Sequence, residues 1–143
     1  MAKFSFRMPD NFLRKLSTLG SSTDHVIEEV LKAGADVVEK EVKESLTSVI
    51  GKDTKTPSRS SGQLINALGT SQVMQDRSGA FNIKVGFQEN RSDGTSNSMI
   101  ASVIEYGKSN QKAKPFIKPA LKRCKDEVIS AMERKLDEEI AKL

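Results

Sequence analysis

The chain has 143 residues, of which 36% are hydrophobic and 29% are charged, with a net charge of +4. This length predicts a single α+β domain, residues 1–143, with its own core. One cysteine and one histidine exclude a disulfide framework and a histidine metal cluster. No run approaches 18 consecutive apolar residues, and the N-terminus lacks the apolar core of a signal peptide, so we expect neither a membrane span nor export.

The N-terminal region predicts an extended arm followed by a short helix. Residues 1–8 alternate apolar and polar side chains, which is typical of an edge strand. Residues 9–19 place four apolar side chains on one side of a helix, and Gly20 follows where a helix commonly stops.

Residues 24–50 predict a long amphipathic helix, because their apolar positions recur every three or four residues. About 27 residues span roughly 40 Å. A small compact domain is seldom that wide, so we expect one end of this helix to project or to contact another chain. Gly34 interrupts the helix-forming residues and predicts close packing by a neighbouring element.

The middle of the chain predicts two mobile polar loops on either side of a helical turn and a β-hairpin. The first loop is 51–62, and the turn follows at 63–68. The hairpin strands are expected at 71–76 and 80–88, where apolar and polar residues alternate most clearly in the second strand. The second loop is 89–98.

The C-terminal third predicts a short apolar element and a second long helix. Met99 to Tyr106 fits either a helix or a strand, and Gly107 ends it. The last helix is expected to begin near Lys118. The predicted fold is therefore a small antiparallel sheet, made of a hairpin plus an edge strand, packed against one long central helix and one long C-terminal helix. The stripe of the last helix comprises Leu121, Cys124, Val128, Met132, Leu136, Ile140 and Leu143, broadened by Ile129.

Residues that could support catalysis are scarce. No phosphate-binding loop, zinc-protease motif or nucleophile elbow occurs. Cys124 lies on an apolar helix stripe and is expected to be a buried, inert thiol, whereas His25 is expected at the surface. Glu105 is an acid inside an apolar segment, and we expect a structural hydrogen bond or an ion pair to a lysine of residues 108–118. We therefore predict no catalytic, cofactor-binding or metal-binding residues.

Charge is separated along the chain. Residues 24–50 carry seven acids against three lysines, whereas residues 106–125 carry seven bases and no acid. Bases at the start of a helix oppose the helix dipole, which suggests a requirement other than helix stability. That requirement could be an acidic surface on a partner, such as the acidic helix of another copy, or the phosphates of a nucleic acid. The seven bases, candidate assembly or DNA-path contacts, are Lys108, Lys112, Lys114, Lys118, Lys122, Arg123 and Lys125.

Two motifs near the C-terminus resemble a known family. The first is Val103-Ile104-Glu105-Tyr106-Gly107, and the second, after a loop, is Pro115-Phe116-Ile117-Lys118-Pro119-Ala120 preceded by Ala113. This pair resembles the signature of small tail-completion and head–tail joining (neck) proteins of long-tailed bacteriophages. Residues 62–69 are similar to an upstream turn of that family, with Ala67 where serine is common. The strongly basic loop is a departure from the pattern. The signature residues are Glu105, Tyr106, Gly107, Pro115, Phe116 and Pro119.

The resemblance implies a virion or prophage structural protein, assembled in the bacterial cytoplasm into an oligomeric ring at the head–tail neck or the tail end. Its partners would be copies of itself, neighbouring neck, connector or tail-tube proteins, and DNA passing through the lumen. Neither a cofactor nor a membrane is implied. In the signature, Gly107 would permit a turn and Phe116 would fix the start of the long helix in the core. The alternative function is a small basic nucleic-acid-binding module.

Overall fold

The computed structural model of the chain describes residues 14, 15, 17, 23–49, 63–88, 96–109 and 112–142. These residues form an α+β fold, as the sequence predicts. In chain order the elements are α1 (Thr23–Val49), α2 (Gln63–Ala67), β1 (Leu68–Thr70), β2 (Met74–Gln75), β3 (Phe81–Asn82), β4 (Val85–Phe87), α3 (Asn97–Tyr106) and α4 (Ile117–Ala141).

Several predicted segments lie outside the described residues. They include the arm at 1–8, the loop at 51–62 and most of the loop at 89–98. The last three residues of that second loop are described, and they correct the prediction, because Ser96 caps α3 and residues 97 and 98 open its first turn. The short N-terminal helix is described at three positions, all of them helical, namely Arg14, Lys15 and Ser17.

The two long helices pack against each other along their length. Their apolar stripes form most of the core, and burial on α1 extends from Val26 near one end to Leu46 near the other. For the described residues, the expectation that one end of α1 projects is therefore wrong, and its alternative, contact with another chain, stays a prediction. A 27-residue helix fits this small domain because α4, with 25 residues, is nearly as long and covers it.

A glycine sets how closely the two helices approach. A Cβ atom at Gly34 would lie 2.8 Å from the sulfur of Met132 and 3.4 Å from a methyl carbon of Val128. Real Cβ atoms are not found at the first of these distances, so the missing side chain is what allows Met132 to lie against α1. The prediction that Gly34 permits close packing is confirmed.

The predicted hairpin is present, but a bulge divides it. β2 pairs with β3 around a turn at 77–79, whereas β4 pairs antiparallel with β1. Between the pairs Thr70–Val85 and Met74–Asn82, one strand advances four residues and the other three, so one strand holds an extra residue. The hairpin therefore begins at Leu68, which was predicted to be helical, and the strand predicted at 80–88 is split in two.

Residues 99–106, left open between helix and strand, are helical. α3 buries Asn97, Ala101 and Glu105, which recur every four residues on one face of a helix. Because two of these buried residues are polar, the hydrophobic pattern alone could not show the helix. The helix ends at Gly107, whose φ of 77° is accessible to glycine and strained for most other residues, and whose N–H donates to the carbonyl of Val103.

The start of α4 is held in the core by Phe116. Its side chain is fully buried, as the sequence predicts, and its ring meets that of Phe87 edge to face at a centroid distance of 6.2 Å. This contact joins the start of α4 to the last strand of the hairpin. It places the second signature motif at the centre of the fold.

We expect Phe116→Ala to lower the free energy of unfolding by about 3–5 kcal/mol, because it leaves a cavity of aromatic size. The measurement is chemical denaturation followed by circular dichroism. Met74→Ala, at a side chain that is 56% exposed, is the control and should change stability by less than about 0.5 kcal/mol. Superimposable denaturation curves for Phe116→Ala and wild type would contradict this packing role.

A buried carboxylate, Glu139, lies where the C-terminal end of α4 packs beside the start of α1. The predicted stripe has Ile140 in the last turn of α4, but the structure buries Glu139 there and leaves Ile140 partly buried. The carboxylate accepts a hydrogen bond from Lys142 Nζ at 3.1 Å and lies 3.5 Å from Lys135 Nζ and 3.8 Å from His25 Nε2. The hydrogen bond from Lys142 and the charges of Lys142 and Lys135 hold the pKa of the Glu139 carboxyl below its usual 4.5.

A lowered carboxyl pKa stabilises the fold above the pKa of the unfolded chain, and this stabilisation is lost as the pH falls through the folded-state pKa. We therefore expect Glu139→Gln to destabilise the protein at pH 7, with the difference from wild type shrinking below about pH 4.5. Urea denaturation at pH values from 7 to 3 measures this difference in stability. Glu138→Gln, which changes an exposed carboxylate, is the control. If the stability difference between Glu139→Gln and wild type stays constant with pH, the ionised Glu139 carboxylate does not stabilise the fold.

Candidate functional site

The two signature motifs meet at a single carboxylate. Glu105, in the last turns of α3, is 2% exposed, and its Oε2 accepts hydrogen bonds from the backbone N–H of Phe116 at 2.7 Å and of Ile117 at 2.8 Å. Its Oε1 accepts a third from the N–H of Lys118 at 3.0 Å. The first N–H groups of a helix lack partners within that helix. Glu105 of α3 is the hydrogen-bond acceptor for these N–H groups, because the side chain of Phe116, at the cap position of α4, forms no capping hydrogen bond.

Two further hydrogen bonds complete this contact, which we call the α3–α4 junction (Ser45, Glu105 and residues 116–118). Ser45 Oγ, buried in α1, donates to the carbonyl of Phe116 at 2.8 Å. Nearby, the N–H of Lys114 donates to the carbonyl of Ile104 at 2.7 Å. The predicted structural hydrogen bond of Glu105 is thus confirmed, but its partners are backbone N–H groups and not the side chain of a lysine.

The other signature residues surround the junction in different ways. Gly107 ends α3, and Pro119 is the third residue of α4, where a missing N–H removes no helical hydrogen bond. Pro115 is exposed, and the Tyr106 ring is 57% exposed. The signature therefore consists of a buried structural contact and an exposed aromatic side chain beside it.

A cleft lies between α3, β4 and the start of α4, next to Glu105. Its volume is about 20 Å³, which is room for a water molecule and not for a substrate. The Glu105 oxygens that border it already accept backbone hydrogen bonds. The lining residues are Phe87, Ser98, Ala101, Ser102, Glu105, Tyr106 and Ile117.

The remaining candidates for chemistry lie apart from this cleft. Cys124 is buried on α4, and burial together with the negative charge of Glu41 raises the pKa of its thiol. His25 is exposed, as predicted. In the described part of the chain, no group of three or more His, Cys, Asp or Glu side chains could hold a metal ion. Nor does any helix among the described residues have the length and apolar character needed to cross a membrane.

The basic segment forms an exposed surface around the junction. Lys118 Nζ lies 5.4 Å from the centre of the Tyr106 ring, within the range of a cation–π contact. Arg123 Nε donates to Glu41 Oε1 on α1 at 3.0 Å, and Lys114 is partly buried. The exposed members are Lys108, Lys112, Lys118, Lys122, Arg123 and Lys125.

The acidic helix does not present a separate acidic surface. Glu41 pairs with Arg123 of the same chain, and Glu39 accepts a hydrogen bond from the Thr70 hydroxyl at 2.8 Å. The side chains that α1 exposes carry both signs of charge, because Glu41 faces α4 and Glu39 faces the hairpin. The exposed charged residues of α1 are Asp24, Lys32, Asp36, Lys40, Lys43 and Glu44, with His25 between them.

Sequence reasoning missed the acidic character of the second half of α4. Residues 126–141 contain six acids and two bases, against four bases and no acid in residues 117–125. A charge count along the last helix contains this signal. The basic run at 106–125 ends where these acids begin, so a count confined to it leaves them out.

A scan against protein-family models and searches of the curated proteins and the solved structures find no match to this chain. The resemblance to phage neck and tail-completion proteins therefore depends on the motif residues alone. The structure adds that these residues, eleven or more positions apart in the chain, are in direct contact.

We expect Glu105→Ala to lower the free energy of unfolding by roughly 1–3 kcal/mol, because it leaves buried N–H groups of α4 without acceptors. Glu105→Gln keeps one acceptor oxygen and should lose less. Glu41→Gln, which removes an acid from a partly exposed ion pair with Arg123, is the control and should cost no more than about 1 kcal/mol. If Glu105→Ala unfolds at the same denaturant concentration as wild type, the cap contributes nothing to stability.

Proposed function

We propose that this chain is a structural protein of a long-tailed bacteriophage virion, which forms an oligomeric ring at the head–tail neck or the tail end and joins or completes the tail. The observation that supports this most is the α3–α4 junction. Both signature motifs contribute to it, through Glu105 of the first and Phe116 of the second. Motif residues that contact one another in the fold support a family resemblance more strongly than matching residues that lie apart on the surface.

The surface around the junction suits a role in assembly. The junction holds the basic end of α4 rigidly beside the exposed Tyr106, so a docking partner meets a preformed surface. In a ring, each copy presents one patch to a different patch on the next copy, and the contact closes by rotation. The proposed partners are other copies, adjacent neck, connector or tail-tube proteins, and DNA passing through the lumen.

Deleting the gene and imaging the particles by electron microscopy tests this proposal. Without the protein, we expect heads and tails to accumulate unjoined, or tails with an incomplete end. Supplying wild-type protein should restore complete particles, and supplying Phe116→Ala, which lacks the core packing at the junction, should restore few. Complete particles formed in normal number without the protein would contradict the proposal.

The alternative, a small basic nucleic-acid-binding module, is favoured by the three exposed lysines on the first turns of α4, Lys118, Lys122 and Lys125. Such a module should bind duplex DNA with a log affinity that falls against log salt by about 0.9 for each phosphate contact. Binding of that kind at physiological salt, in a protein that is dispensable for particle assembly, would favour the module over the virion role.

A further inference from the structure

The charges on α4 are reversed relative to what its own dipole favours. Residues 117–125 carry four bases and no acid, and residues 126–141 carry six acids and two bases. The first turn of the helix has no acid, and the last turn has no base. Acids near a helix N-terminus and bases near the C-terminus are the stabilising arrangement, so the charges of α4 itself oppose helix stability at both ends. The one anion at its N-terminus, the Glu105 carboxylate, comes from α3.

The reversed charges lie on the exposed side of α4. In the described part of the chain, Lys122, Lys125, Asp126 and Glu127 are exposed and form no ion pair. Glu138 is also exposed, and lies 3.6 Å from Lys135. Side chains three or four apart on a helix can pair, yet these neighbours at the change of sign do not. Lys122, Lys125, Asp126 and Glu127 are therefore free to meet charges from outside the chain. Asp137 and Glu138 also pair within the chain, with Lys15 at 2.8 Å and with Lys135 at 3.6 Å.

Two large apolar side chains are exposed on α3, and one of them, Tyr106, contacts the basic half. Met99 and Tyr106 are seven residues apart, on one face of α3, and are 64% and 57% exposed. Lys118 joins the two surfaces through its contact with the Tyr106 ring. Methionine and tyrosine are enriched at the centres of protein interfaces.

We propose that α4 is a self-complementary docking face, in which the basic half (Lys118, Lys122 and Lys125) of one copy contacts the acidic half (Asp126, Glu127 and Glu138) of a second copy. The charges match when the basic half of one copy meets the acidic half of the next copy head to tail, so that each copy uses a different patch toward each neighbour, as a ring requires. This inference deepens the proposed function, because it names the contact between copies on which a ring would rest.

A second copy accounts for the whole helix, which a nucleic acid does not. Phosphates would be attracted to residues 117–125 but repelled by the acidic half beside them. An unrelated acidic partner would likewise leave the acidic half without a role. Another α4 provides both signs in the required order.

Charge exchange tests the pairing. The basic-half variant is Lys118→Glu, Lys122→Glu, Lys125→Glu, and the acidic-half variant is Asp126→Lys, Glu127→Lys, Glu138→Lys. Lys118→Glu in the first turn and Glu138→Lys in the last turn place charge in the sense that the helix dipole favours. The other four positions are exposed, so both variants are expected to fold. Sedimentation velocity should show each variant alone associating at least about tenfold more weakly than wild type, because like charges then face each other. An equimolar mixture of the two should associate again, because each then offers the complement of the other.

A matched control removes the effect of net charge. Lys32→Glu, Lys40→Glu, Lys43→Glu makes the same change on the exposed side of α1, and should associate as wild type does. The inference is overturned if wild type stays monomeric at every concentration, if either variant alone associates normally, if the mixture stays dissociated, or if the control is weakened equally. It is also overturned if the basic-half variant loses duplex DNA binding while its self-association is unchanged.

The outcomes separate this inference from the proposed function. Association that follows the charge exchange supports the α4 contact even if complete particles form without the protein, in which case only the virion role fails. Conversely, particles that need the protein but assemble normally with the basic-half variant retain the virion role and overturn the α4 contact.

Discussion

The carboxylate of Glu105 satisfies three backbone N–H groups at the start of α4, and the position of that helix depends on this contact. It is also an anion at the positive end of a helix whose first residues are basic. Ser45 holds the carbonyl of Phe116 from the opposite side, so α1, α3 and α4 are joined at one point. The packing of Phe116 against Phe87 then connects that point to the hairpin.

The long helices could be predicted from sequence because their stability comes from a stripe of apolar residues that recurs at helical spacing. What covers that stripe could not be predicted in the same way. α1 looked too long for a compact domain, yet α4 of the same chain covers it from Val26 to Leu46. The role of Gly34 could be predicted, because a glycine inside a strong helix pattern indicates that another element packs closely there. That element is α4, through Met132.

Buried polar residues were the hardest feature to predict from the sequence pattern. α3 could not be assigned because its buried face includes Asn97 and Glu105, whose partners are backbone groups of neighbouring elements. Glu139 was missed in the same way, since its lysine and histidine neighbours come from two helices. The bulge at residues 71–73 depends on the register of both strands, which alternation within one strand does not specify. Of the site itself, the motif residues were identified from sequence, whereas their mutual contact required the fold.

The apolar contact between α1 and α4 explains how α4 can carry charges in the unfavourable order. Each charge near a helix end contributes about 0.3–1 kcal/mol through the dipole, whereas full burial of one large apolar side chain contributes roughly 1.5–3 kcal/mol. α4 buries Val128, Met132 and Leu136 against α1, so its helical structure does not depend on its surface charges. A surface that is not needed for folding can serve binding instead. The reversed charge order, on a helix that its apolar face already stabilises, therefore favours a role for these charges in contact with another chain.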